Sequence, residues 1–165
     1  MFIPFNQVVY NNAIIEQEKR APFMYTKFVN NTARKAGQIR GLVIEHHVAE
    51  YFRLNFANNY LEADNFQLWE EPCAHDFKLI INSKEFNVDV TGPKKDGSFG
   101  SYSLKPTIGV DFHIVAKPIS FESWDKIDFK KGFEILGAVS SKKYTKQLDI
   151  SNIKPIENLL NSLKS

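Results

Sequence analysis

Residues 75–91 read HDFKLIINSKEFNVDVT, and this stretch decides the fold. Residues 75–81 are mostly apolar and suit a strand. Asn82-Ser83 supplies turn chemistry. Residues 85–91 then alternate: Phe86, Val88 and Val90 take one side, and Asn87, Asp89 and Thr91 the other. The segment reads as a β-hairpin. It carries two carboxylates that packing does not explain, Asp76 at the head of the first arm and Asp89 between Val88 and Val90. Aspartate is depleted in strand interiors. A buried carboxylate must find a cation, a proton or hydrogen-bond donors.

Upstream, Asn31-Thr32 offers N-cap chemistry for a long helix over about 33–58. Gly41, Glu45, Val48 and Phe52 fall at i, i+4, i+7 and i+11, one helical face, so Glu45 sits in a mostly apolar stripe. Residues 13–20 read as a short helix, with Pro4 and Pro22 as interruptions. Residues 65–69 are a short extended segment. Downstream, Gly92-Pro93 breaks the second arm, KKDG at 94–97 reads as a turn, and 98–105 can pair back as a strand. Residues 109–116, GVDFHIVA, read as a central strand, 120–131 as a loop or short helix, and 133–139, FEILGAV, as a last strand. Pro155 opens a terminal helix over 156–163. Helices and strands interleave, which predicts a mixed α/β or α+β layered domain.

The 165 residues suit a single domain, 1–165, and 14 Phe residues argue against disorder. Cys73 is the only cysteine, so no internal disulfide or cysteine zinc cluster can form, and it reads as structural. No apolar run approaches the roughly 18 residues of a membrane span. MFIPFNQVVYNN lacks the pattern of a secretory signal, so a cytoplasmic setting is expected. The net charge is only +2, but it is unevenly spread. Residues 19–40 hold Lys19, Arg20, Lys27, Arg34, Lys35 and Arg40 and no acid, a local +6; residues 61–89 sum to −5. That contrast suits a chain that grips a polyanion and holds a cation, or two solvated faces of opposite sign.

Glu45, Asp76 and Asp89 together would make a hard, oxygen-rich site of the kind Mg²⁺ prefers. Each also has a plainer reading: a helix-edge carboxylate for Glu45, a turn cap for Asp76, a solvated strand face for Asp89. His46 and His47 are neighbours about 100° apart on a helix and do not share an ion; they read as one core and one exposed histidine. His113, in an apolar strand, reads as a core histidine. Lys27, Arg34, Lys35, Arg40 and Lys95 are candidate phosphate contacts, with Phe23, Tyr25 and Phe28 nearby.

A helix bearing GLVIE at 41–45, a strand opening HDF at 75–77 and a strand ending VDVT at 88–91 together resemble the PD-(D/E)XK nuclease superfamily. Asp76 and Asp89 stand 13 positions apart, a separation common in that family. The resemblance covers roughly 34–139, with 1–33 and 140–165 as elaborations. It implies a restriction-endonuclease-like fold, a central mixed β-sheet flanked by helices with an αβββαβ core. It also implies Mg²⁺-dependent, or Mn²⁺-dependent, hydrolysis of DNA phosphodiesters, with Asp76, Asp89 and Glu45 as metal ligands. Cutting both strands with one site per chain implies a homodimer. Two positions depart from the motif. His75 replaces the Pro of its name, and Thr91 stands where its Lys belongs. Three explanations stay open: Lys94 or Lys105 serves instead, the metal suffices without a lysine, or the chain is a non-cleaving relative that binds nucleic acid or protein.

Overall fold

The computed structural model describes residues 1–24, 31–62, 75–93, 109–123, 126–141 and 153–164. Over these it is a mixed α+β arrangement of a six-stranded sheet, a two-stranded ribbon and three helices.

The expected hairpin is present. Strands β3 (Phe77–Ile81) and β4 (Lys84–Thr91) pair antiparallel, from Phe77 opposite Val88 to Ile81 opposite Lys84. Asn82 and Ser83 both take positive φ, 50° and 61°, the geometry of a two-residue type I′ turn. Ahead of it lie β1 (Phe2–Ile3), helix α1 (Gln7–Met24), helix α2 (Asn31–Asn55) and β2 (Tyr60–Glu62). After it come β5 (Phe112–Pro118), β6 (Phe121–Ser123), β7 (Lys126–Ile127), β8 (Phe133–Ser140) and helix α3 (Ile156–Lys164). The sheet order is β1-β8-β5-β4-β3-β2, and β4 with β5 is its one parallel pair. Strand β5 is central, as its apolar run predicts.

Several expectations change. The N-terminal helix is not a short 13–20 segment: α1 starts at Gln7 and runs past Pro22. Asn6 starts it, its Oδ1 accepting from the Val8 N–H at 2.9 Å and the Val9 N–H at 3.4 Å. Helix α2 ends at Asn55 rather than 58; a 3₁₀ turn (Ala57–Asn59) and β2 follow, and the sequence reading has neither. Residues 120–131 are no plain loop or short helix, for they hold the β6–β7 ribbon and a 3₁₀ turn (Phe129–Lys131). The expected extended segment at 65–69, turn at 94–97 and strand at 98–105 lie outside the described residues.

One core joins the helices to the sheet. Val43, Val48 and Phe52 of α2 are buried with Phe77, Leu79, Val88, Ile114 and Phe133 of the strands and with Ile156 of α3. Ala13 is the buried residue of α1 in this core, and α1 packs along α2. Truncating Phe52, fully buried, would cost about 3–5 kcal/mol. The packing matters for chemistry because it brings one flank of α1 and α2 over the base of the β3–β4 hairpin.

Candidate metal centre at the hairpin base

Asp76 immediately precedes β3. Its backbone N–H donates to the Val88 carbonyl at 2.7 Å, and its Oδ2 accepts from the Val90 N–H at 2.6 Å. Those two bonds bracket Asp89, and the β3–β4 register carried one residue further sets Asp76 opposite Asp89. Asp89 is held from its own face. His113 of β5 lies beside it in register, with Nδ1 2.9 Å from Oδ2, and the Thr91 hydroxyl donates to the same oxygen at 3.2 Å. His113 is buried while the Asp89 side chain stays 25% exposed, so one carboxylate oxygen is tethered inward.

Glu45 comes from α2 to the cleft that Asp76 also lines; Asp89 is not in its wall. Burial lifts its carboxyl to about 7; Arg20 opposes the rise, while Glu16 and Asp89 add to it. Burial, then the charges of Glu45 and Asp89, hold Asp76 well above the ordinary carboxylate range against the Val90 N–H and Arg20. The charge of Asp89 thus raises both Glu45 and Asp76, and that of Glu45 raises Asp76. Like charges forced together in a poorly hydrated spot raise one another's proton affinity, and a bound cation relieves that repulsion.

Helix α1 adds what the sequence reading lacks. Glu16 and Arg20, one turn apart, form an ion pair, and a terminal nitrogen of Arg20 lies 3.8 Å from Glu45. His46 hydrogen-bonds Glu16 through Nε2. Burial pushes the Glu16 carboxyl up, but His46 and Arg20 outweigh it and leave the value below normal. His46 is thus not the exposed member of its pair; it is half-buried and bound to α1. His47 is the core member, as expected, its ring between Phe5 and Phe133. Among the described residues, the set of acids and histidines whose ligand atoms all lie within 4.8 Å of one another is Glu16, Glu45 and His46; Asp76 and Asp89 do not join Glu45 at that spacing. Glu16, Glu45, His46 and Asp76 open onto one cleft of about 470 Å³, whose wall also carries Glu50 and Glu62.

The remaining candidates are more scattered. Arg34, Lys35 and Arg40 stand on α2. Arg40 precedes Glu45 by five residues, about 140° round the helix, and so is on a different side. Lys27, Lys94, Lys95, Lys105 and Cys73 lie outside the described residues, as do Tyr25 and Phe28 and the side chain of Phe23. No helix among the described residues is long and apolar enough to cross a membrane. Signals for the missed residues do exist: Glu16 and Arg20 are an i, i+4 pair of opposite charge, and His113 is a polar residue in an apolar strand. Comparison with protein-family models, curated proteins and solved structures returns no match.

Proposed function

We propose that this chain is a Mg²⁺- or Mn²⁺-dependent endonuclease that hydrolyses DNA phosphodiester bonds, built on a restriction-endonuclease-like fold and working as a homodimer. The observation that supports the reading is that Asp76 stands opposite Asp89 across the hairpin and shares a cleft with Glu45 of α2. The order α2, β2, β3, β4, then β5 parallel to β4, suits the αβββ and final β of such a core.

The donor set fits the ion. It is rich in hard carboxylate oxygens, and a divalent cation would compete with the protons that Glu45 and Asp76 hold more tightly than ordinary carboxylates do. Asp76, Asp89 and Glu45 would hold the metal, which would neutralise phosphate charge and promote ionisation of water. The Val90 N–H aims Asp76, and His113 with Thr91 aims Asp89. An acidic cleft repels DNA unless cations occupy it, so binding of substrate would depend on the metal. Lys27, Arg34, Lys35, Arg40 and Lys95 are the side chains we assign to backbone phosphates.

A second reading has one observation in its favour. Thr91 is buried and spends its hydroxyl on Asp89, so the motif's lysine position supplies no charge. A chain that binds nucleic acid without cutting it would tolerate that. Nicking of supercoiled plasmid separates the two readings. Wild type should nick with Mg²⁺ or Mn²⁺, stop with chelator, and lose activity on Asp89→Asn; wild type that retains DNA yet never nicks it sinks the nuclease.

A further inference from the structure

We propose that Arg20 is the positive group that meets the scissile phosphate, taking the place of the lysine that Thr91 displaces. Arg20 has this role only if the site hydrolyses phosphodiesters.

Position 91 cannot supply that charge, because Thr91 is neutral, buried and bonded to Asp89. Three other described cations are paired with acids outside the trio, Arg53 within the same cleft as its partner Glu50. Arg53 forks onto both oxygens of Glu50 at 2.7 Å, Lys78 pairs with Glu85 at 3.1 Å, and Lys117 with Glu134 at 3.9 Å. Arg20 is aimed at the acids. Glu16 binds one of its terminal nitrogens, and that nitrogen lies 3.8 Å from Glu45, beyond hydrogen-bond length. Its Nε is buried and makes no hydrogen bond among the described residues. The side chain is 24% exposed, and Glu16, its anchor, lines the cleft.

The anchor is itself braced. His46 on α2 binds the second Glu16 oxygen, so the guanidinium is fixed by packing between two helices rather than by its own flexible stem. A guanidinium does not take protons at ordinary pH, so Arg20 is no base. It offers N–H donors in a planar fork that matches the non-bridging oxygens of a phosphate. In hydrolysis the water oxygen bonds to phosphorus and the P–O bond to the leaving sugar oxygen breaks. The water gives up a proton to solvent, and the leaving oxygen takes one from solvent. Charge on the phosphoryl oxygens grows along that path, so a fixed fork lowers the barrier more than it tightens binding.

The test uses the full chain with supercoiled plasmid and Mn²⁺, comparing wild type, Arg20→Gln and Arg20→Lys. Arg20→Gln is expected to lower kcat about 100-fold with KM little changed. Arg20→Lys keeps a charge beside Glu16 but not the fork, and is expected about 10-fold down. Mn²⁺ affinity by calorimetry and the unfolding midpoint of Arg20→Lys should both stay close to wild type. Either variant nicking at the wild-type rate overturns the assignment and leaves the nuclease intact. A rate that falls only in step with Mn²⁺ affinity or folded fraction also overturns it, since a merely structural arginine would act that way. Wild type that nicks nothing removes the nuclease reading, and Arg20's role with it.

Discussion

His113 and Asp89 sit side by side on the parallel strands β5 and β4, with the imidazole Nδ1 2.9 Å from the carboxylate Oδ2. A histidine closed off from solvent thereby fixes the direction in which a half-open aspartate faces. Such outer partners hold ligands in one orientation, and their loss commonly costs 10–100-fold in metal affinity.

His113→Leu is accordingly expected to weaken Mn²⁺ binding about 10-fold or more while the chain stays folded. Titration calorimetry at fixed pH measures it. Unchanged affinity would mean that Asp89 needs no guide, or is no ligand.

The carboxylates set a second expectation, with a definite sign. Glu45 is raised from 4.5 to about 7, and Asp76 moves the same way. An acid whose folded value lies above its unfolded one contributes stability below the unfolded value and loses it as pH rises toward the folded one. Metal-free protein should therefore weaken between about pH 4.5 and 7, by on the order of 1–3 kcal/mol from Glu45. Glu45→Gln should abolish most of that slope and be the more stable protein at about pH 8, while millimolar Mg²⁺ should restore wild type. Urea unfolding across pH, with and without Mg²⁺, decides it.

His47 works in the opposite direction. Its Nε2 accepts the Asn6 N–H at 3.1 Å, and its Nδ1 faces the Val43 carbonyl at 2.7 Å, a pattern that needs the neutral ring. Burial lowers its pKa from 6.5. Its contribution is present above 6.5 and lost as pH falls below that toward the depressed folded value, at up to about 1.4 kcal/mol per pH unit. The stability gap between wild type and His47→Asn should shrink between about pH 7.5 and 5.5. A gap independent of pH would contradict the assignment.

Ser83 offers a stabilising change. Its φ of 61° is costly for a residue with a Cβ, and Asn-Gly is the preferred pair for this turn. Ser83→Gly should raise stability by about 0.5–1 kcal/mol and leave Mn²⁺ affinity alone. The denaturation midpoint and the same calorimetry report both halves.

The hairpin was legible because alternation and turn chemistry agree over 75–91, and α2 because Val48 and Phe52 mark its buried face. Helix α1 was legible only over 13–20, for a physical reason. Its inward positions Val9, Ala13 and Gln17 end on a fully buried polar residue, so no apolar stripe announces it. Strand β2 is three residues with two exposed, too short to show a period. Glu45, Asp76 and Asp89 could be picked out because each carboxylate interrupts an apolar pattern. Glu16, Arg20 and His46 sit in ordinary polar surroundings along the chain, and only the packing of α1 on α2 joins them. The identity of His113 was visible, but its partner depends on the β4–β5 register, which no local pattern specifies.

The outermost strands among the described residues bear on how copies of the chain can meet. Strand β1 has two residues and β2 three, and next to β2 the Asn59 side-chain amide occupies the Ile80 carbonyl at 2.7 Å. Margins this stubby give an incoming backbone little to stitch onto, which guards against runaway fibre growth. If the chain pairs as proposed, these described margins offer its partner side chains rather than a long backbone edge.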